Sequence, residues 1–88
     1  MELSFDPVKD ISNQRKHGVS LREAREFEWE GALTCEDLRR DYGERRMVSI
    51  GYIGPRLYVV VYVTRAGECR IISLRKANER EVKRYAEA

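Results

Sequence analysis

The run LYVVVYV, Leu57 to Val63, constrains this chain more than any other stretch. Its β-branched and aromatic residues suit a strand. Its apolar side chains occupy consecutive positions, so neither face of that strand can look onto water. Seven residues cannot span a bilayer, which takes about 20 in a helix. The run is therefore expected at the centre of a sheet, covered on both sides. Gly54-Pro55 precedes it and Ala66-Gly67 follows it, and both pairs read as hairpin turns. Upstream, Val48, Ile50 and Tyr52 alternate with Met47, Ser49 and Gly51, the pattern of a strand with one buried face. Downstream, Cys69 to Arg75 makes a third strand. Short turns between successive strands imply antiparallel pairing.

Helices must supply the cover. Leu3 to Phe5 reads as a short opening strand. Asp6-Pro7 then starts a helix, with Asp as N-cap and Pro at the first helical position, and Gly18 stops it after Lys16 and His17. Ser20-Leu21-Arg22-Glu23 has the form of a capping box, which predicts a second helix with Leu21, Ala24 and Phe27 on its apolar side, broken at Gly31. Ala32 to Leu38 is a weak strand, and Arg39 to Gly43 a turn. Asn78 with Glu81 forms another capping box and opens a last helix. The expected fold class is α+β: a single small domain over residues 1–88, ordered βααβββα. Two N-terminal helices and a C-terminal helix would pack on a three- to four-stranded antiparallel sheet, with a groove beside the last helix.

Bulk properties narrow the function. With 42% apolar and 36% charged residues the chain is charge-rich but globular. Its start, MELSFDPVKD, lacks the apolar core of a secretory signal, so a cytoplasmic protein without a membrane segment is expected. Cys35, Cys69 and His17 are scattered and too few for a structural zinc site, so no metal or cofactor is expected. The formal net charge of +2 is mild. Its distribution is more telling: Arg65 to Arg84 holds seven basic and three acidic residues, a segment charge of +4 that leaves −2 for the rest.

That segment brings together the groups that metal-free RNA cleavage needs. Such a reaction takes a base for the 2′-hydroxyl, a cation for the crowded phosphorane and an acid for the departing 5′-oxygen. Arginine suits the second role, because its fork of donors matches phosphate oxygens. Alternation along the third strand turns Ile72 and Leu74 inward and puts Ile71, Ser73 and Arg75 on the opposite, more polar face. Each residue also has a plain structural role open to it. Arg65 and Arg75 suit a solvated sheet face. Glu79 and Glu81 suit a helix N-terminus, and His17 a helix C-terminus. Tyr85 suits a core with its hydroxyl in water, and Tyr58 and Tyr62 suit cross-strand packing.

Three segments carry a resemblance: FDPVKDISNQRKHGVSLREA, DYGERRMVSIGYI and LYVVVYVTRAGECRIISLRKANEREVKRY. The most specific pieces are Asn13 with Lys16-His17-Gly18, Glu44-Arg45, and Arg70 to Ser73 followed by Arg75 to Ala77, Glu81 and Tyr85. In this order they resemble the BrnT toxins of type II toxin–antitoxin modules. The resemblance implies a RelE-like fold, an endoribonuclease that inhibits translation, and no metal. It also implies a cognate BrnA-like ribbon-helix-helix antitoxin, with promoter DNA bound only through the complex. On this reading Arg65 and Arg75 hold the scissile phosphate. Arg70, Lys76, Lys16, Lys9 and Asn13 contact the RNA, and Glu81, Tyr85 and His17 are the acid and base candidates. The competing reading is a partner- or RNA-binding module that uses the same basic groove without chemistry.

Overall fold

The computed structural model describes residues 2–88. Its frame is one five-stranded sheet built from β1 (Glu2–Phe5), β2 (Leu33–Glu36), β3 (Met47–Ile53), β4 (Arg56–Arg65) and β5 (Glu68–Lys76), in the order β1-β5-β4-β3-β2. The apolar run lies in β4, the middle strand. Val60 and Tyr62 point to one face, where they join Ile71, Leu74, Leu21, Ala24 and Phe27 in the larger core. Leu57 and Val59 point to the other, where Ile50 and Ala77 complete a smaller core. Helix α1 (Pro7–His17) and a 3₁₀ helix (Leu21–Glu26) cover the first face, and helix α2 (Glu79–Glu87) lies on the second.

Two features correct the expected architecture. The sheet has five strands and is mixed, not a three- to four-stranded antiparallel one. β1 joins it by pairing parallel to β5, Leu3 opposite Cys69 and Phe5 opposite Ile71. Turn logic speaks only for strands adjacent in sequence, and these two partners are separated by most of the chain. There is also one N-terminal α-helix, not two. The segment after Ser20 is a six-residue 3₁₀ helix. Its buried residues Leu21 and Ala24 lie three positions apart, the 3₁₀ period, so the tighter helix aligns both on the core, and Phe27, the buried C-cap, follows at the same spacing. The Ser20 hydroxyl accepts from the Arg22 amide at 3.1 Å and donates to the buried Asp10 carboxylate at 3.0 Å. The chain then leaves for β3, where the Glu28 amide bonds the Tyr52 carbonyl.

A third difference lies inside β5. Val61 pairs with Ser73 but Tyr62 pairs with Ile71, so Ile72 is an extra residue, a β-bulge. The bulge lets Cys69, Ile71 and Leu74 all enter the same core. Strict alternation instead predicts Ile72, not Ile71, as the partner of Leu74.

The Ala66-Gly67 turn carries strain. Ala66 has φ +49° and Gly67 φ +80°. A residue with a Cβ disfavours that region by about 1–2 kcal/mol, whereas asparagine tolerates it. Ala66→Asn is expected to stabilise the protein by about 0.5 kcal/mol and raise Tm by about 2–4 °C in a thermal melt. An unchanged or lower Tm would show that the turn stores no such strain.

Candidate functional site

Register along β4 and β5 decides which basic residues meet. Val59 opposes Arg75, Val61 opposes Ser73, and Val63 opposes Arg70. Opposed residues share a face and alternate residues repeat it, so Arg65, Arg70 and Arg75 all lie on the α2 side of the sheet. The half-buried Val61 and the buried Val63 form an apolar floor between them. The bulge at Ile72 places Arg70 and Arg75 on one face although they are an odd number of positions, five, apart in sequence.

Arg75 is the most constrained of the three. Its guanidinium forks onto Glu81, Nη1 donating to Oε1 at 2.8 Å and Nη2 to Oε2 at 2.7 Å. Glu81 is itself held by its capping box: its Oε1 accepts from the Asn78 amide at 2.9 Å, and its own amide donates to the Asn78 side chain at 2.9 Å. The hydrogen bonds from Arg75 hold the Glu81 carboxyl below the usual range, against the opposing effect of burial. Glu81 is therefore a carboxylate at neutral pH that orients an arginine. The hydrogen bonds to Glu81 raise the Arg75 pKa, against the opposing effects of burial and of the Arg39 charge.

Arg39 belongs to a second built group, in the segment read from sequence as a turn. The Asp37 carboxylate is almost fully buried, and it accepts from Arg39 Nε at 2.9 Å, Arg39 Nη2 at 2.8 Å and the Tyr42 hydroxyl at 3.0 Å. The Arg39 fork holds Asp37 well below the carboxylate range despite burial. The Arg39 side chain is otherwise largely exposed. Arg46 lies over the Tyr42 ring at 4.1 Å, a cation–π contact. Arg39, Tyr42 and Arg46 are the residues that sequence reasoning missed. The available signal was an acid two residues ahead of an arginine at a strand end, where the carboxylate has no strand partner.

Arg65 ends β4 with its side chain exposed and 3.6 Å from Glu44, a loose surface pair.

The other candidates lie elsewhere. Lys76 opposes Tyr58 and so faces the α1 side. There it lines a cleft of about 430 Å³ with His17, Tyr58, Ser20 and Glu23. Lys9, Lys16 and His17 flank a smaller hollow against the bulged Ile72 and Ser73. Asn13 is buried, and its amide is fully engaged: Nδ2 donates to Val19 O at 2.9 Å and Leu74 O at 2.8 Å, and Oδ1 accepts from the Leu74 amide at 3.2 Å. β1 pairs with β5 only as far as Ile71, and Asn13 takes over as hydrogen-bond partner of the strand beyond it. The Tyr85 hydroxyl donates to the Gly31 carbonyl at 2.9 Å, and its ring packs edge-on against Tyr52. The predicted set thus divides into an arginine face with Glu81 and an α1 side with His17, Lys76, Lys9 and Lys16.

Residues 5–81 match the model of a family described as the ribonuclease toxin, BrnT, of type II toxin–antitoxin systems. A search of the curated proteins finds no match. Among the described residues, no helix is long and apolar enough to cross a membrane.

Proposed function

We propose that this chain, which belongs to the BrnT family of ribonuclease toxins of type II toxin–antitoxin systems, cleaves RNA at the arginine face without a metal. The observation that carries this reading is the Arg75–Glu81 fork on the sheet face it shares with Arg70. A guanidinium pre-oriented by a carboxylate, with further cations around it, is suited to the extra negative charge of a phosphorane. The 2′-oxygen attacks phosphorus, the bond to the 5′-oxygen breaks, and a 2′,3′-cyclic phosphate and a 5′-hydroxyl result. Arg75 and Arg70 hold the phosphate, with Arg65 at the rim. Glu81 orients Arg75 and leaves proton transfer to other groups. The strand continues over the β5 edge, where Lys9, Lys16 and Lys76 draw the neighbouring phosphates; His17 sits with them on the α1 side, so at the arginine face water takes the 2′-hydroxyl proton and returns one to the departing 5′-oxygen. Tyr85 fastens α2 to the loop before β2.

On this reading the protein acts in the cytoplasm and stops translation by cutting transcripts. A ribbon-helix-helix antitoxin of the BrnA type neutralises it and carries the pair to promoter DNA. The test is purified protein with a defined RNA and its 2′-deoxy counterpart, each with and without EDTA. RNA should be cut to cyclic-phosphate ends in both buffers, and the 2′-deoxy strand should stay intact, since it lacks the nucleophile. Equal cutting of both strands, or loss of cutting in EDTA, overturns the mechanism. No cutting of either strand by folded protein overturns the reading itself.

A further inference from the structure

The two faces of the sheet are unequally covered. α1 and the 3₁₀ helix blanket one face, whereas α2 alone lies on the other. Between α2 and the outer strands this leaves an open groove of about 640 Å³. Its floor is apolar, formed by Leu33 and Cys35 of β2 and Val48 and Ile50 of β3. Its α2 wall presents Arg80, Lys83 and Arg84 against Glu87. Glu81 also borders the groove, but its charge is matched by Arg75. An uncovered apolar strip on a sheet normally receives a helix, and this one has a basic rim.

We infer that this groove seats an amphipathic helix of the antitoxin, its apolar stripe on Leu33, Cys35 and Val48 and its acidic flank along Lys83 and Arg84. The inference rests on the family reading, which supplies a protein partner, and adds where that partner docks and by what chemistry. The rim selects an acidic partner by charge complementarity. A helix fits better than an added strand, because a strand beside β2 would extend the sheet and leave the floor bare. RNA fits less well, since the apolar floor offers no aromatic ring for stacking. Because Glu81 borders both the groove and Arg75, a helix docked here lies against the arginine face and obstructs it.

Cys35 makes the groove directly readable. It is exposed on the floor, whereas Cys69 is fully buried, with its thiol pushed up to about 11 by burial. The experiment is maleimide labelling of the folded protein, read by mass spectrometry, alone and with the purified antitoxin encoded in the same module. With antitoxin at 100 times Kd, only about 1% of the groove is free, so Cys35 labelling should slow about 100-fold while Cys69 stays unlabelled. The double variant K83E/R84E, whose positions are exposed, should keep its RNA cleavage and bind antitoxin about 10-fold or more weakly. Cys35 labelling at the free rate in a formed complex overturns the inference, as does unweakened binding of K83E/R84E. Concentration-dependent protection without antitoxin, with dimers by light scattering, gives the groove to a second copy and also overturns it. Cleavage by the free protein is scored in parallel, so a misplaced docking site is distinguished from a failed toxin reading.

Discussion

Replacing Asn13 by alanine should destabilise the protein by about 3 kcal/mol, since three backbone groups lose their partner and an unsatisfied buried group costs about 1–3 kcal/mol. The Asn13 amide mimics a strand. It gives and accepts one bond at Leu74 and gives a second to Val19, closing the β5 edge where β1 has ended. The cost falls short of the full sum because water reaches part of an opened edge. A domain of this length has about 4–13 kcal/mol in total, so the loss is a large fraction of it. Urea denaturation should show a lower midpoint, and the melt should shift down by about 12–24 °C. Asn13→Asp should fare no better, because it keeps the acceptor for the Leu74 amide but aims a carboxylate oxygen at two carbonyls. Lys9→Ala and Lys16→Ala, exposed on the same helix, should stay within about 0.5 kcal/mol of wild type. A stable Asn13→Ala variant that has lost RNA binding would return Asn13 to the RNA ligands expected from sequence.

Asn13 also shows where sequence patterns stop being informative. A polar residue on α1 reads as a surface group, because its partner is a strand edge 61 residues away. The features that were legible are local: the apolar run of β4, the two hairpin turns, the Asp6 cap with Pro7, and the capping box of Asn78 and Glu81. Each is set by neighbours within a few residues. The parallel pairing of β1 with β5 and the placement of the Asp37 group depend on contacts between distant segments, and no local pattern encodes them. The 3₁₀ helix is an intermediate case. Its spacing of three was present in Leu21, Ala24 and Phe27, but a capping box points equally to an α-helix start. The same division holds at the site. Alternation back from Leu74 puts Arg75 and Ser73 on the open face, while the bulge that moves Ile71 into the core answers to packing against Tyr62 and the 3₁₀ helix. Lys76, adjacent to Arg75, falls on the opposite face for the same geometric reason, so a basic block continuous in sequence is split in space.

The largest functional effect is expected at Arg75. Arg75→Ala should lower the rate of RNA cleavage by about 10²–10³-fold, the usual loss when one preorganised donor to a developing oxyanion is removed. Arg75→Lys should recover little of it. A lysine keeps the charge but not the fork that Glu81 orients and that a phosphate receives. Glu81→Gln should be milder, because the glutamine oxygen still accepts from Arg75 and from the Asn78 amide while the charge that steadies the pair is gone. The pair also contributes to stability against acid. Glu81 has a depressed pKa in the folded state, so its contribution to stability is complete above its unfolded value, near 4.3, and is lost as the pH falls through the folded value. Cleavage assays near neutrality are therefore free of that transition. Salt dependence separates binding from chemistry. Each phosphate contact removed should flatten the plot of log affinity against log salt by about 0.7 on a single strand. Lys16→Ala should show this flattening with little change in the rate at saturating RNA, whereas Arg75→Ala should lose rate at saturation. His17→Ala is the decisive counter-experiment. If it abolishes cleavage while Arg75→Ala, shown to be folded, cuts at the wild-type rate, the reaction takes place in the His17–Lys76 cleft on the opposite face, and the arginine face serves only to hold the strand.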